Sequence, residues 1–327
     1  VKGERGLALA AFLTVCLVWG TTYLAIRVAI ETIPPLALTA IRFVIAGLIM
    51  GGIALLRGEK MPRDRSTLLN LAVIGLLMVG IGNLAVVWAE HWVPSGMAAL
   101  FVATAPFWMV IIELFRKHGE RPTVQSALGM FLGFAGVALL VTPGGAGPSW
   151  NAGFVAGAIA IQIGSIAWQL GSVRSKYHIK HVPLLSSAAL QMLFGGIVVG
   201  IVSIAIGEPA RFALNPRTLA ALAYLTIFGS VIAYSAYIYA LAHMRTSRSS
   251  LYAYINPVVA VILGWLILDE RLTTLSIVAT IVILGGVALV QTAKGRPVTA
   301  AAVTRHPAMP PDTPRDSSLS AARASRS

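Results

Sequence analysis

Charge is scarce in this chain. Charged residues fill 11% of its 327 positions, where a soluble domain carries roughly 25%. Hydrophobic residues fill 57%, and the mean hydropathy is +0.81. That balance excludes a soluble globular protein and describes an integral membrane protein. Acidic residues are scarcer still, 12 against 25 Lys and Arg, so the net charge is +13. Cys16 is the only cysteine, which excludes an internal disulfide and a cysteine-ligated metal cluster. His-Glu-x-x-His, the Walker A Gly-x-x-x-x-Gly-Lys-Ser/Thr and Gly-x-Ser-x-Gly are all missing. The sequence therefore reads as a non-enzyme without cofactor or metal, and ATP is not its direct energy source.

Long apolar runs are plentiful. A helical span needs about 20 apolar residues, and ten runs fit: Leu7–Ile30, Leu36–Leu56, Leu68–Ala89, Gly96–Phe115, Val124–Thr142, Gly153–Val173, Leu184–Ile206, Leu219–Leu241, Ser249–Leu268 and Leu275–Gln291. The first has no Ala-x-Ala site after a short core, so it is expected to be retained and not cleaved as a signal peptide. Turn formers such as Pro34-Pro35, Pro94-Ser95-Gly96 and Gly144–Pro148 punctuate the connectors. From Lys294 onward the chain is rich in Pro, Ala, Ser, Thr and Arg, and is expected to be a disordered basic tail.

Basic residues set the expected orientation. With the N-terminus inside, the inner connectors and the tail hold twenty Lys and Arg, and the outer connectors hold three: Arg211, Arg217 and Arg271. Arg27 and Arg42 fall within spans. This bias places both termini in the cytoplasm. The positive excess thus reports topology and contact with the lipid bilayer. It does not call for nucleic acid.

One pattern occurs twice. Ala105-Pro106, an apolar run, Glu120-Arg121-x-Thr123 and then Ala135–Leu139 is followed by Asn256-Pro257, an apolar run, Glu270-Arg271-x-Thr273 and Gly285–Leu289. Glu120 to Gly136 is 16 residues, as is Glu270 to Gly286. The period holds five spans. Because five is odd, the second copy enters the bilayer from the opposite side. The expected fold is an all-α integral membrane protein of ten transmembrane helices in two inverted five-helix repeats. Its divisions are residues 1–148, residues 149–293 and the tail 294–327. Inverted repeats of this kind bind small solutes near the midplane and rock between two open states.

Several stretches also carry a resemblance. Trp19-Gly20, Arg42-Phe43 and Glu270-Arg271-Leu272 resemble the EamA-type drug/metabolite transporter superfamily. Ala89–Gly96 and Tyr252–Val261 are similar to its YedA-like branch. The resemblance covers about residues 7–291. It implies a ten-helix bundle in the inner membrane that moves small metabolites, usually outward. Asp269-Glu270 stands where that family commonly has Gly-Glu, a departure that bears on a loop. The superfamily carries amino acids, nucleosides, drugs and sugars, so the resemblance names no substrate.

Polar and aromatic residues inside spans are the candidate site. The first span gives Trp19 and Tyr23 at i, i+4. The sixth gives Gln162 and Gln169 with Trp168, and the ninth gives Tyr252 and Asn256. Asn83 and Glu90 are seven apart, hence on one helix face. A repeat offset of 151 sets Tyr234 and Tyr237 on the matching face of the eighth span. The aromatic rings would enclose a small-molecule substrate and the amides would hydrogen-bond it. Hydrogen bonding between helices is the competing reading. Asn256-Pro257 can kink its span and free carbonyls for a substrate. Glu90 beside His91 is the candidate pair for coupling transport to protons. Glu113 is expected to pair with Arg116 or Lys117, and Arg42 to snorkel or pair with Glu31. Gly129-x-x-x-Gly133, Gly153-x-x-x-Gly157 and Gly196-x-x-x-Gly200 permit close helix approach within a monomer or in a homodimer.

The expected function is a secondary transporter, exporting amino acids or related small metabolites or drugs. The alternative is a non-transporting membrane receptor or lipid-binding scaffold, in which polar residues would be scattered and not matched between repeats.

Overall fold

The computed structural model describes residues 2–117, 119–141, 151–268 and 274–293. The tail from Lys294, the Gly144–Pro148 connector and the Glu270-Arg271 corner lie outside the described residues. Among those described there is no β-strand. All the helices belong to one compact unit, Val1–Gly295.

Among the described residues, ten helical segments of 17 or more residues follow one another. They are α1 (Lys2–Ala29), α2 (Pro35–Leu56), α3 (Arg65–Ala89), α4 (Ser95–Phe115), α5 (Val124–Val141), α6 (Ala152–His178), α7 (Leu184–Ala205), α8 (Pro216–His243), α9 (Tyr252–Leu268) and α10 (Thr274–Thr292). Each answers to one of the ten apolar runs. Seven of them, α1–α4 and α6–α8, are long and apolar enough to cross a membrane by length and composition. The stretches Val124–Leu139 in α5 and Ile277–Thr292 in α10 are shorter, and α9 has 17 residues. Leu17, Leu48, Ile201 and Ile281 are among many large apolar side chains left exposed. An apolar exterior suits lipid, where every backbone polar group must be satisfied within the chain.

The helix starts are marked by residues that cap free backbone N–H groups. Asp64 accepts from the Thr67 amide at 2.8 Å to open α3. Asn215 and Thr218 form a reciprocal capping box at the start of α8. Pro34 and Pro183 precede α2 and α7; neither needs the N–H that a helix start leaves free.

Four helices are irregular. α3 carries a π-helical stretch, Leu76–Asn83, and α8 carries another, Leu225–Ile232. α4 is interrupted at Ala103-Thr104, just before Ala105-Pro106. The ninth run is shorter than expected at its start: Thr246–Ser249 forms a separate turn, and α9 begins at Tyr252. α9 continues as helix through Pro257.

The packing has a regular pattern. α2 lies against α7, and α5 against α10. α1 lies against α8 and α9, and α6 lies against α3 and α4. Advancing each helix by five maps these contacts onto one another. Small residues set the closest approaches. A Cβ on Gly286 in α10 would sit 2.5 Å from the Gly133 nitrogen and 2.6 Å from the Gly129 oxygen of α5. Gly157 faces Val93 and Gly196 faces Val44, so these glycine motifs pack helices within the chain.

Candidate functional site

The irregular stretches of α3, α4 and α9 meet at one cavity. Its volume is about 70 Å³. Its wall draws on α1, α2, α3, α4, α6 and α9, with Trp19, Tyr23, Arg42, Asn83, Trp168, Gln169, Tyr252 and Asn256 among its lining.

An aromatic cluster makes the apolar wall. Trp19 meets Tyr252 edge-on with ring centroids 4.9 Å apart, and Trp168 likewise at 5.4 Å. Tyr237 lies against Trp19 at 5.2 Å, Tyr252 at 5.5 Å and Trp168 at 5.6 Å. Edge-to-face contacts at such distances stabilise and fix the rings. Hydrogen bonds hold them further. The Trp19 indole N–H donates to the Gly229 carbonyl at 3.0 Å, within the π stretch of α8. Ser172 Oγ donates to the Trp168 carbonyl at 2.7 Å, so the Tyr237 hydroxyl donates to Ser172, also at 2.7 Å. Turned so that its nitrogen donates, the Asn256 amide reaches the carbonyls of Tyr252 (3.0 Å) and Cys16 (3.3 Å), tying α9 to α1.

Other polar groups on this wall are not used up by the fold. Asn83 Oδ1 and Arg42 Nη1 are buried without a hydrogen-bond partner, and the Gln169 amide and Trp168 indole N–H, which have none at good geometry, lie beside the Tyr252 and Tyr237 hydroxyls. Most buried polar groups in proteins are satisfied, so this concentration sets the cavity apart from the rest of the bundle.

Seven of the residues singled out from the sequence line the cavity together: Trp19, Tyr23, Asn83, Trp168, Gln169, Tyr252 and Asn256. Tyr237 stands behind them as part of the aromatic cluster. Four others lie elsewhere. Gln162 accepts from the Trp108 indole at 2.9 Å and donates to the Phe101 carbonyl at 3.1 Å, bracing the break in α4. Tyr234 is buried against Phe43 and donates to Gln191 at 2.9 Å. Glu90 and His91 part company. Glu90 is fully buried in the α3–α4 connector, neither carboxyl oxygen has a partner, and Arg27 donates to its backbone carbonyl. His91 is exposed beside Trp92. Arg42 was expected at an interface or with Glu31. Glu31 instead meets Arg217 at 3.3 Å, and Arg42 is 2% exposed on the cavity wall. The signal for Arg42 was its position, a cation inside a span with no acid nearby on its own helix. Ser165, Thr22 and Gly82 also join the lining.

Charged networks tie the bundle at both ends. At one, Glu120 meets Lys176 at 3.4 Å, Arg245 at 3.3 Å and the Thr246 amide at 3.1 Å. Glu113 pairs there with Arg116 at 2.8 Å, as the sequence spacing suggested, and accepts from the Thr246 hydroxyl. Burial raises the Glu120 carboxyl, but Lys176, the Thr246 amide and Arg245 outweigh it and hold Glu120 below the ordinary glutamate range. At the other end Glu208 accepts from the Ala37 amide and the Ser203 hydroxyl, both at 2.8 Å.

The sequence pattern of the EamA-like transporter family matches this chain twice, over residues 6–142 and 155–292. The chain belongs to the EamA-like transporter family. Among its relatives, the inner membrane transporter YedA of Escherichia coli (strain K12) is 38% identical over 286 residues, covering 87% of this chain and 90% of its own. Protein PecM of Dickeya dadantii is 29% identical, covering 86% and 91%. The transporter YoaV of Bacillus subtilis (strain 168) is 23% identical, covering 84% and 93%. A solved structure, described only as a crystal structure of protein, superposes with a TM-score of 0.71 at 23% identity over 86% of this chain and 96% of its own. That likeness speaks for the fold alone. The family and its E. coli relative make this EamA chain a multi-pass transporter of the inner membrane type.

Proposed function

We propose that this EamA chain is a secondary transporter that exports amino acids or related small metabolites or drugs across the bacterial inner membrane. The central cavity carries this reading. It joins a fixed aromatic wall to unsatisfied polar groups, with helices from both halves of the chain around it. A concave, mostly apolar site with a few converging polar groups is how small molecules are held. A receptor would present the same wall, but the paired contacts of α1–α5 and α6–α10 favour a machine with two interchangeable halves.

In this reading all ten helices cross the bilayer as two inverted five-helix repeats, 1–148 and 149–293, with both termini in the cytoplasm and the basic tail 294–327 there too. The helix contacts that recur on advancing by five, and the two family matches, support the duplication. The odd number of helices in each half supplies the inversion. Substrate sits between the halves, and rocking exposes it to one side and then the other. Glu90 is the proton-coupling candidate, because a carboxyl buried in a dry site holds a proton more readily than one in water. The lipid bilayer is the remaining partner, and one copy of the chain contains the whole site.

Counterflow by purified protein in liposomes tests the proposal. Vesicles loaded with unlabelled amino acids should take up labelled amino acids faster than protein-free vesicles, and Trp19→Ala should abolish the difference. A broad panel of amino acids and drugs showing no protein-dependent exchange would leave the receptor reading in its place.

A further inference from the structure

Arg42 is the one charged side chain on the described lining of the central cavity. It sits in α2 and is 2% exposed. Its Nε donates to Ser230 Oγ at 2.7 Å, on the π stretch of α8, and its guanidinium carbon lies 4.7 Å from the Phe43 ring centre. Nη1 has no partner. No carboxylate among the described residues pairs with it. Glu31 is engaged by Arg217, Glu208 by the start of α2 and by Ser203, and Glu113 and Glu120 by the basic groups at the far network, while the buried Glu90 has Arg27 as its neighbouring cation. A buried structural arginine needs a counter-charge, and a lipid-facing arginine lifts its head to the interface. Arg42 does neither. Its free edge belongs to a cavity that also holds the unsatisfied acceptor oxygen of Asn83 and, beside the Tyr252 hydroxyl, the Gln169 amide.

We propose that Arg42 anchors the carboxylate of the transported solute, so that the site takes a zwitterionic amino acid. The guanidinium donates to the carboxylate, the geometry for which arginine is best suited. The Asn83 and Gln169 side-chain oxygens accept from the ammonium group. The solute's side chain lies against Trp19, Trp168 and Tyr252. Ser230 is a positioning residue that aims the guanidinium through Nε. This deepens the transport proposal, since it names the substrate class of the same site and rests on it.

The test separates binding from transport. Full-length protein in lipid nanodiscs is titrated by calorimetry with the common L-amino acids and then with the α-carboxamides of those that bind. The carboxamide keeps the side chain and ammonium and lacks the anion. At least one acid should bind, and its carboxamide should bind about tenfold or more weakly, the loss of a charge-assisted contact. Arg42→Gln should lower the acid to the level of its carboxamide and leave the carboxamide unchanged. Ser230→Ala should weaken the acid less than Arg42→Gln does. If Arg42→Gln does not fold, the acid and carboxamide comparison in the unaltered protein decides. A carboxamide that binds as tightly as the acid overturns the proposal, as does a panel in which no acid binds. Exchange of neutral or cationic solutes in liposomes would then leave the transporter reading intact without the anchor. Conversely, carboxylate-dependent binding with no flux of any solute would keep the anchor and remove the transporter.

Discussion

At the scale of single residues, the same chemistry in a span serves two ends. An amide can finish the fold or wait for a solute, and the difference lies in whether its hydrogen bonds are filled. Gln162 is filled by Trp108 and the Phe101 carbonyl. Gln169, seven residues along the same helix, has no partner at good geometry and only the Tyr252 hydroxyl beside it. Gln162→Leu should therefore lower stability by about 1–3 kcal/mol, the range for a buried group left without its partner, while amino-acid binding to folded protein stays as it was. Thermal unfolding beside calorimetry checks this, and a binding defect at unchanged stability would speak against it. Glu90→Gln should keep counterflow and lose uptake driven by a pH gradient. If both modes survive equally, Glu90 carries no proton. Helical spacing had brought the right residue types to notice, and Trp19, Tyr23, Asn83, Trp168 and Tyr252 do meet at one wall. It had no means of showing which amide is satisfied. Nor did it separate Glu90 from His91, since the helix ends at Ala89 and the turn that follows sends the first side chain inward and the second to the surface.

At the scale of elements, each apolar run became a helical segment, because length and hydropathy decide that much. The interruptions were not legible. Leu76–Asn83 and Leu225–Ile232 are as apolar as their neighbours, yet they form π turns. Such turns often mark functional places. Here one positions Gly82 and Asn83 on the cavity, and the other supplies the Gly229 carbonyl and Ser230. The start positions of these stretches also show why Tyr234 misses the wall. The π stretches begin at 76 and 225, an offset two positions short of the one used to match Tyr234 with Asn83. Two positions are about 200° around a helix. The α5–α10 contact gives a direct element-scale prediction. Gly286→Leu places a side chain where Gly133 and Gly129 backbone atoms already lie, so it should destabilise the folded protein by about 1–3 kcal/mol or more. An unchanged unfolding temperature in nanodiscs would refute that contact. The Glu120 network gives one in pH. Its carboxyl is held below the ordinary glutamate range. Its stabilisation is therefore complete above about pH 4.3, the unfolded value, and is lost as pH falls through the lower folded value. Glu120→Gln should unfold earlier than the parent at pH 7, and the gap should close on acidification below about pH 4. A gap that widens there would reverse the sign of the argument.

At the scale of the whole molecule, the duplication has geometric consequences. If the halves are inverted, matching connectors must face opposite sides of the membrane. The connector before α3 and the one before α8 are such a pair. Arg63 is exposed in the first and Leu214 in the second. The positive-inside distribution puts the first in the cytoplasm and the second outside. Cys16 is 1% exposed, so a single introduced cysteine is the reactive one. In intact spheroplasts a membrane-impermeant maleimide should label Leu214→Cys, and should label Arg63→Cys only after permeabilisation. A parallel duplication would label both alike, because the two connectors would then share a side. The same result bears on mechanism. A site between inverted halves can be offered to either side by exchanging their conformations, and α1·α8 with α6·α3 are the contacts that would trade places. Labelling of both connectors in intact cells would remove that exchange, and with it the physical reason for placing the solute between the halves.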